Sequence, residues 1–333
     1  MATLHRYRFI EGCQFTVISD HNEERCRQAS DFLRSEKRPQ PRILEWKQAC
    51  CDEEVDLVYI CTNWDSHAEI ALHAMRQGKH VAVEVPAATT LQECEELLQV
   101  AKETGKHCMM LENCCYDTFH LGVLGLVRQG LLGEITHCEG AYIHYLAEDA
   151  AIGYTGNPYP THALGPICQL LKGDSLESLV SMNGQNHINS TLLRTTKGRT
   201  ILLQFDETTP RPYSRLQVTC GTKGFVQKYP TPCVQLGEKV WSGDEAEHFI
   251  HQHIAPDFQA LIEDGKRLGV PNLMNYIMDR RLMEALHQGT ALDISPEESV
   301  LWSSIVELTA RSASQGGAPI AIPTSYRRPS LVV

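Results

Sequence analysis

The chain has 333 residues, enough for about two domains, and its 42% hydrophobic and 21% charged content is that of an ordinary globular protein. A formal net charge of −11 with no offsetting basic cluster repels phosphate backbones, which argues against a nucleic-acid partner. The opening MATLHRYRFIEGC lacks an uninterrupted apolar core and no apolar run approaches bilayer length, so neither a signal peptide nor a membrane partner is expected, and a cytoplasmic location is.

In chain order, FTVIS (15–19) reads as a strand ending at Asp20, and NEERCRQASDFLRSE (22–36) as an amphipathic helix. VDLVYIC (55–61) is a continuous apolar strand, 67–78 a helix stopped by Gly78, and KHVAVE (79–84) the next strand. A further helix (91–105, with a glycine stop) and strand (106–112) follow. Apolar strands alternating with helices predict parallel β-α-β units, hence a Rossmann-type doubly wound sheet. From about residue 134, β-rich runs separated by Gly, Asn and Pro predict a large, mostly antiparallel open sheet. Helical patterns return at 246–268, 274–288 and 296–314, and a Pro-rich tail follows. The expected division is an α/β cofactor domain over 1–115 and an α+β substrate and oligomerisation domain over 116–333.

The thirteen cysteines include two adjacent pairs, are odd in number and contain no CxxC, so reduced thiols are expected and a zinc site is not. EHFIHQH (247–253) offers histidines at i, i+3 and i+5, spacing that suits a helix face better than a metal. No metal is expected.

Asp20, at the end of the expected second strand, suits a ribose diol; a helix cap or solvated acid remains open on this residue alone. A dinucleotide domain opens with a strand and a G-x-G-x-x-G turn. Here the chain opens inside what reads as the first helix, LHRYRFIEG, so the first strand and the phosphate turn are expected to be missing. In NPYPTHALGP (157–166), three prolines stiffen a segment carrying Tyr159 and His162. That frame reads either as a rigid loop or as a pair of held acid/base groups.

Several segments together, TNWDSHAEI (62–70), HVAVEVPAATT (80–90), MMLENCCYD (109–117), CEGAYIH (138–144), YPTHALGP (159–166) and TPRPYSRLQVTCG (209–221), resemble glycoside hydrolase family 109. That family lies within the glucose–fructose oxidoreductase and inositol dehydrogenase superfamily. Where the superfamily's dehydrogenases carry Glu-Lys-Pro with a catalytic lysine, this chain has Glu84-Val85-Pro86, which favours the glycosidase branch. The resemblance implies NAD as cofactor, contacted by Asp20, Asn63, Trp64, Asp65, His67, Glu84, Val85 and Asn113. It implies a small carbohydrate substrate bound by Tyr142, Tyr159, Pro160, Thr161, His162 and Tyr213. Two positions depart from the family: Ser66 replaces a tryptophan, and the loop EDAAIGYTGN is short, with Tyr154 near the place of a substrate-binding arginine.

The implied activity is hydrolysis of an N-acetylgalactosaminide or related glycoside by transient oxidation at C3, elimination, addition of water and return of the hydride. Such chemistry needs proton carriers near C2 and C3 rather than two carboxylates flanking the bond. His162, with an ordinary pKa of about 6.5, suits the C3 hydroxyl. Tyr142 or Tyr159 suits the C2 proton if its phenol is lowered or paired. His144 shares the Tyr142 face of its strand. Arg211 and Arg215 read equally as anion contacts or ion pairs, and Cys114-Cys115 as packing. The alternatives are a sugar or polyol dehydrogenase of the same superfamily, or a cofactor-less relative. A homo-oligomer through the C-terminal sheet is also expected.

Overall fold

The computed structural model describes residues 2–146, 155–171 and 173–326. Short apolar runs in the first third form parallel strands. β1 (Val17–Ile18) pairs with β2 (Arg42–Ile43), and β3 (Leu57–Ile60), β4 (His80–Val83) and β5 (Cys108–Met110) pair in that order. Between them run α1 (Ala2–Tyr7), α2 (Glu23–Ser35), α3 (Trp46–Cys51), α4 (Trp64–Arg76) and α5 (Leu91–Thr104). Asn22 caps α2 through its side chain, and Thr90 and Glu93 form a capping box on α5, which ends at left-handed Gly105.

Among the described residues these strands form two sheets rather than one continuous sheet, because no backbone pairs β1 with β3. Side chains of α1 join them: the Tyr7 ring lies 5.5 Å from Phe15 beside β1 and 5.7 Å from Tyr59 in β3. α1 is itself anchored by buried Asp279, which receives Arg6 Nε at 3.0 Å and the Tyr59 hydroxyl at 3.1 Å.

α6 (Thr118–Arg128) follows β5 and leads to β6 (Ile135–Ile143); α7 (Thr161–Leu170) comes next. The larger sheet adds β7 (Leu176–Asn183), β8 (Asn189–Thr195), β9 (Thr200–Asp206), β10 (Val218–Gly221), β11 (Gly224–Gln227), β12 (Cys233–Leu236) and β13 (Lys239–Ser242). Then come α8 (Asp244–His251), α9 (Pro256–Leu268), α10 (Leu273–Gln288), α11 (Pro296–Ser314) and β14 (Ile320–Ala321). The sheet order is β13-β12-β11-β10-β6-β9-β8-β7-β14, antiparallel except where β6 pairs with β9.

One expectation shifts, and two helices come without one. The helical pattern over 246–268 is two helices, because Ala255 is extended and Pro256 opens a new helix without a backbone donor to continue the old one. α6 and α7 carry no clear sequence signal: α6 is buried almost all round, and α7 contains Pro166. α11 packs on α5 and β5 as well as on β7. Ser299 Oγ accepts the Met110 amide at 3.0 Å and Ser303 Oγ the Ala87 amide at 3.1 Å, so hydroxyls of the last helix satisfy donors of the first half. No helix among the described residues is long and apolar enough to cross a membrane.

Candidate active site

Each parallel strand of the three-stranded sheet ends in a polar or aromatic side chain. Beyond β3 lie Asn63 and Trp64, beyond β4 Glu84 and Val85, beyond β5 Glu112 and Asn113. The carboxyl ends of such strands are where open α/β sheets bind ligands, since the following turns leave a crevice there. Facing them are the end of β6, with Tyr142, and the first turn of α7, with His162.

The rings form a continuous wall. Tyr159 lies 4.6 Å from Tyr142, 4.7 Å from His162 and 5.8 Å from Trp64, centroid to centroid. His144 extends the row to Tyr213 at 5.3 Å. Two tyrosine–histidine pairs stand out: Tyr159 Oη is 3.3 Å from His162 Nε2, and Tyr142 Oη is 3.1 Å from His144 Nδ1. Burial pushes both Tyr142 and Tyr159 up from the ordinary phenol value, so both rest as phenols. The stiff segment before α7 is fixed locally: Asn157 Oδ1 accepts the Tyr159 amide at 3.0 Å, and Pro160 precedes the helix that starts at Thr161.

Glu112 is the site residue that the sequence reading missed. Its side chain is wholly buried, and Oε1 lies 2.8 Å from His162 Nδ1 while accepting the Cys114 amide at 3.1 Å. Glycine permits this approach. A Cβ at Gly165, one turn beyond His162, would meet Glu112 Cγ at 2.9 Å and Trp302 at 3.1 Å. A signal was present in the sequence: a carboxylate closing the apolar run CMML at the end of a buried strand.

The electrostatics correct the expected histidine. Burial alone would lower His162, but the Glu112 carboxylate outweighs it and raises the imidazole to about 10. Glu112 is held below the ordinary carboxylate value by the same contact, against its own desolvation. At neutral pH the pair is carboxylate and imidazolium, so His162 rests as a proton donor at Nε2 rather than as the free base expected from a pKa of about 6.5. Glu84 moves the other way: desolvation raises it to about 7, with Arg6 opposing.

The remaining expected residues are placed as follows. Asp20 lies beyond β1 and accepts the Asn22 amide at 2.9 Å; the cap of α2 is Asn22, so Asp20 is not the helix cap. Asn63 precedes α4 without a side-chain capping bond, and Asp65 is exposed. His67 is buried with both ring nitrogens against carbonyls, Pro86 O at 2.8 Å and Thr62 O at 3.0 Å. It ties α4 to the strand-end turns, and its ring nitrogens are engaged there rather than with the cleft. Thr161 and Pro160 are buried and shape the start of α7. Arg215 and Lys228 converge on Asp117 at 2.5 and 2.6 Å, and Arg211 lies 3.5 Å from Asp206, so the ion-pair reading holds for both arginines. Tyr154 and its loop lie outside the described residues.

Comparison with known proteins accords with this arrangement. Residues 2–112 match the family described as "Oxidoreductase family, NAD-binding Rossmann fold", and residues 183–328 match "Glycosyl hydrolase 109, C-terminal domain". A protein of Phocaeicola vulgatus named glycosyl hydrolase family 109 protein 2 is 44% identical over 97% of this chain and 91% of its own length. An alpha-N-acetylgalactosaminidase of Bacteroides fragilis is 40% identical over 98% of this chain and 89% of its own. Among solved structures, a levoglucosan dehydrogenase in complex with NADH and L-sorbose has a TM-score of 0.76 at 16% identity, covering 97% and 96% of the two chains, which establishes the fold.

The strand ends fit a nicotinamide dinucleotide. Asn113 Oδ1 is buried without a hydrogen-bond partner while its Nδ2 is fixed on Asn275 at 2.8 Å, leaving an oriented acceptor beyond β5. Asp20 offers a carboxylate beyond β1, where a ribose diol is recognised in such sheets.

Proposed function

The chain belongs to glycosyl hydrolase family 109, and from that premise we propose that it is an NAD-dependent glycosidase acting on an N-acetylgalactosaminide or a closely related glycoside. The observation that carries the reading is the pairing of two cleft tyrosines, Tyr159 and Tyr142, with His162 and His144 opposite the strand ends that fit the cofactor.

NAD, when bound, supplies a reversible hydride acceptor for a sugar carbon. Asp20, Asn63, Trp64, Asp65, Glu84, Val85 and Asn113 are the residues that would hold it, with His67 fixing the turn that carries three of them. Glu84-Val85-Pro86 offers no lysine to the reacting hydroxyl, so proton handling falls to the aromatic wall. His162, once its Nε2 proton has been released through the Tyr159 hydroxyl, would accept the C3 hydroxyl proton as hydride leaves, and the imidazolium so formed would protonate the departing oxygen. Tyr142 becomes a base for the C2 proton when His144 Nδ1 takes its phenolic hydrogen. Tyr159, Tyr213 and Trp64 give flat faces for a pyranose, and Thr161 and Pro160 set the floor.

The test is turnover of 4-nitrophenyl α-N-acetylgalactosaminide in deuterium oxide, with and without added NAD. Release of 4-nitrophenol with deuterium at C2 of the sugar and no net NADH is expected. Accumulation of NADH, or release without deuterium at C2, would sink the reading in favour of a dehydrogenase or an ordinary hydrolase.

A further inference from the structure

We propose that Glu112 is the positioning residue of the proton-transfer step, holding His162 by Nδ1 so that only Nε2 is presented to Tyr159 and the substrate. The inference rests on the reading of His162 as a proton carrier in an NAD-dependent glycosidase.

The geometry leaves one assignment. A carboxylate only accepts, so at 2.8 Å the hydrogen sits on Nδ1 of His162. The carboxylate is held in place because the Cys114 amide donates to the same oxygen, and it packs so close to Gly165 of α7 that a Cβ there would meet its Cγ at 2.9 Å. With Nδ1 occupied, Nε2 is the edge left to exchange a proton, and it faces the Tyr159 hydroxyl. Other titratable groups approach His162: Cys114 from the turn beyond β5, Tyr142 from β6, Glu84 from the end of β4. His120, Glu139 and Arg215 line the cavity beneath it. Among these groups, Glu112 is the buried carboxylate that meets Nδ1 at hydrogen-bond distance.

The proton balance follows. When His162 acts as an acid, the Nε2–H bond breaks and an O–H bond forms on the substrate oxygen. What remains is a neutral imidazole still donating Nδ1–H to Glu112. When it acts as a base, a substrate hydroxyl loses its proton to Nε2 and the imidazolium is restored. Glu112 keeps its charge throughout and exchanges no proton, as expected of an orienting carboxylate.

The full chain labelled with 15N-histidine, with and without NAD, tests this by NMR, with His162 identified by its absence in His162→Gln. The native protein should show an imidazolium at neutral pH that loses Nε2–H first as pH rises, leaving the Nδ1–H tautomer. Glu112→Gln keeps the shape and removes the charge. It should lower the His162 midpoint by about 1–3 pH units and move the matching limb of the pH–rate profile with it, at unchanged NAD affinity. A native His162 that carries its hydrogen on Nε2 when neutral overturns the proposal whatever the variant does, including when the variant fails to fold. So does an unchanged midpoint in folded Glu112→Gln. If the native chain shows no glycosidase turnover, the functional reading fails, while the tautomer still decides the role of Glu112.

Discussion

At the scale of single residues, the site is a set of groups whose charge states are set by neighbours. Glu112 and His162 stabilise each other's charged forms, and Glu84 is destabilised in its own. The sign for Glu84 is worked from its raised value. The native state holds a proton that the unfolded chain has already lost between pH of about 4.5 and about 7. Stability from this group is present below that window and falls as pH rises through it. Glu84→Gln should therefore flatten the fall of thermal midpoint between pH 5 and pH 8, measured in the absence of NAD, and should leave the protein more heat-resistant than native at pH 8. An identical pH slope in variant and native protein would show that Glu84 is not the titrating group. His162 has the same sign in a higher window: its raised value gives stability that is complete below the ordinary histidine value and is lost as pH climbs towards about 10.

At the scale of elements, α6 is fastened by one carboxylate. Asp117 caps the helix by accepting the Phe119 amide at 2.9 Å, and the same side chain receives Arg215 and Lys228 from the chain flanking β10 and β11. Burial would raise Asp117, but Lys228 and Arg215 hold it far below the ordinary carboxylate range. Asp117→Ala removes the cap and leaves two cations without their anion, one of them buried. Loss of about 3–5 kcal/mol is expected in urea unfolding, and Asp117→Asn should recover only the capping part. Elements such as these mark how far the sequence is legible. Strands of continuous Val, Ile and Leu and helices with Thr90–Glu93 or Ser295–Glu298 boxes announce themselves, because local chemistry agrees with the fold. α7 does not, because Pro166 and Gly165 are chosen for what they let the helix touch. The cleft tyrosines, His162 and Asn113 were found through family resemblance. Glu112 escaped because its meaning lies in a contact fifty residues away. The ionic state of His162 was hidden for the same reason.

At the scale of the whole molecule, the open sheet has an outer face with a cross-strand row of Val180, Leu192 and Leu202, and Met182 stands 64% exposed beside it. We propose that a second copy of the chain covers this face, since a contiguous apolar sheet surface is costly to leave in water. Light scattering on the native protein should give a dimer or larger assembly, and Leu192→Glu with Met182→Glu should reduce the mass to that of one chain. A native monomer at micromolar concentration would refute it. The last helix carries a different consequence. α11 begins at Pro296, yet its hydroxyls satisfy amides of Ala87 and Met110. On the ribosome, the Rossmann half leaves the exit tunnel long before its seal exists, and its β5 border stays bare until nearly the whole chain has been made. The first half is thus expected to finish folding only when the C-terminal helix arrives, and chains halted before Pro296 should need chaperone cover to stay in solution.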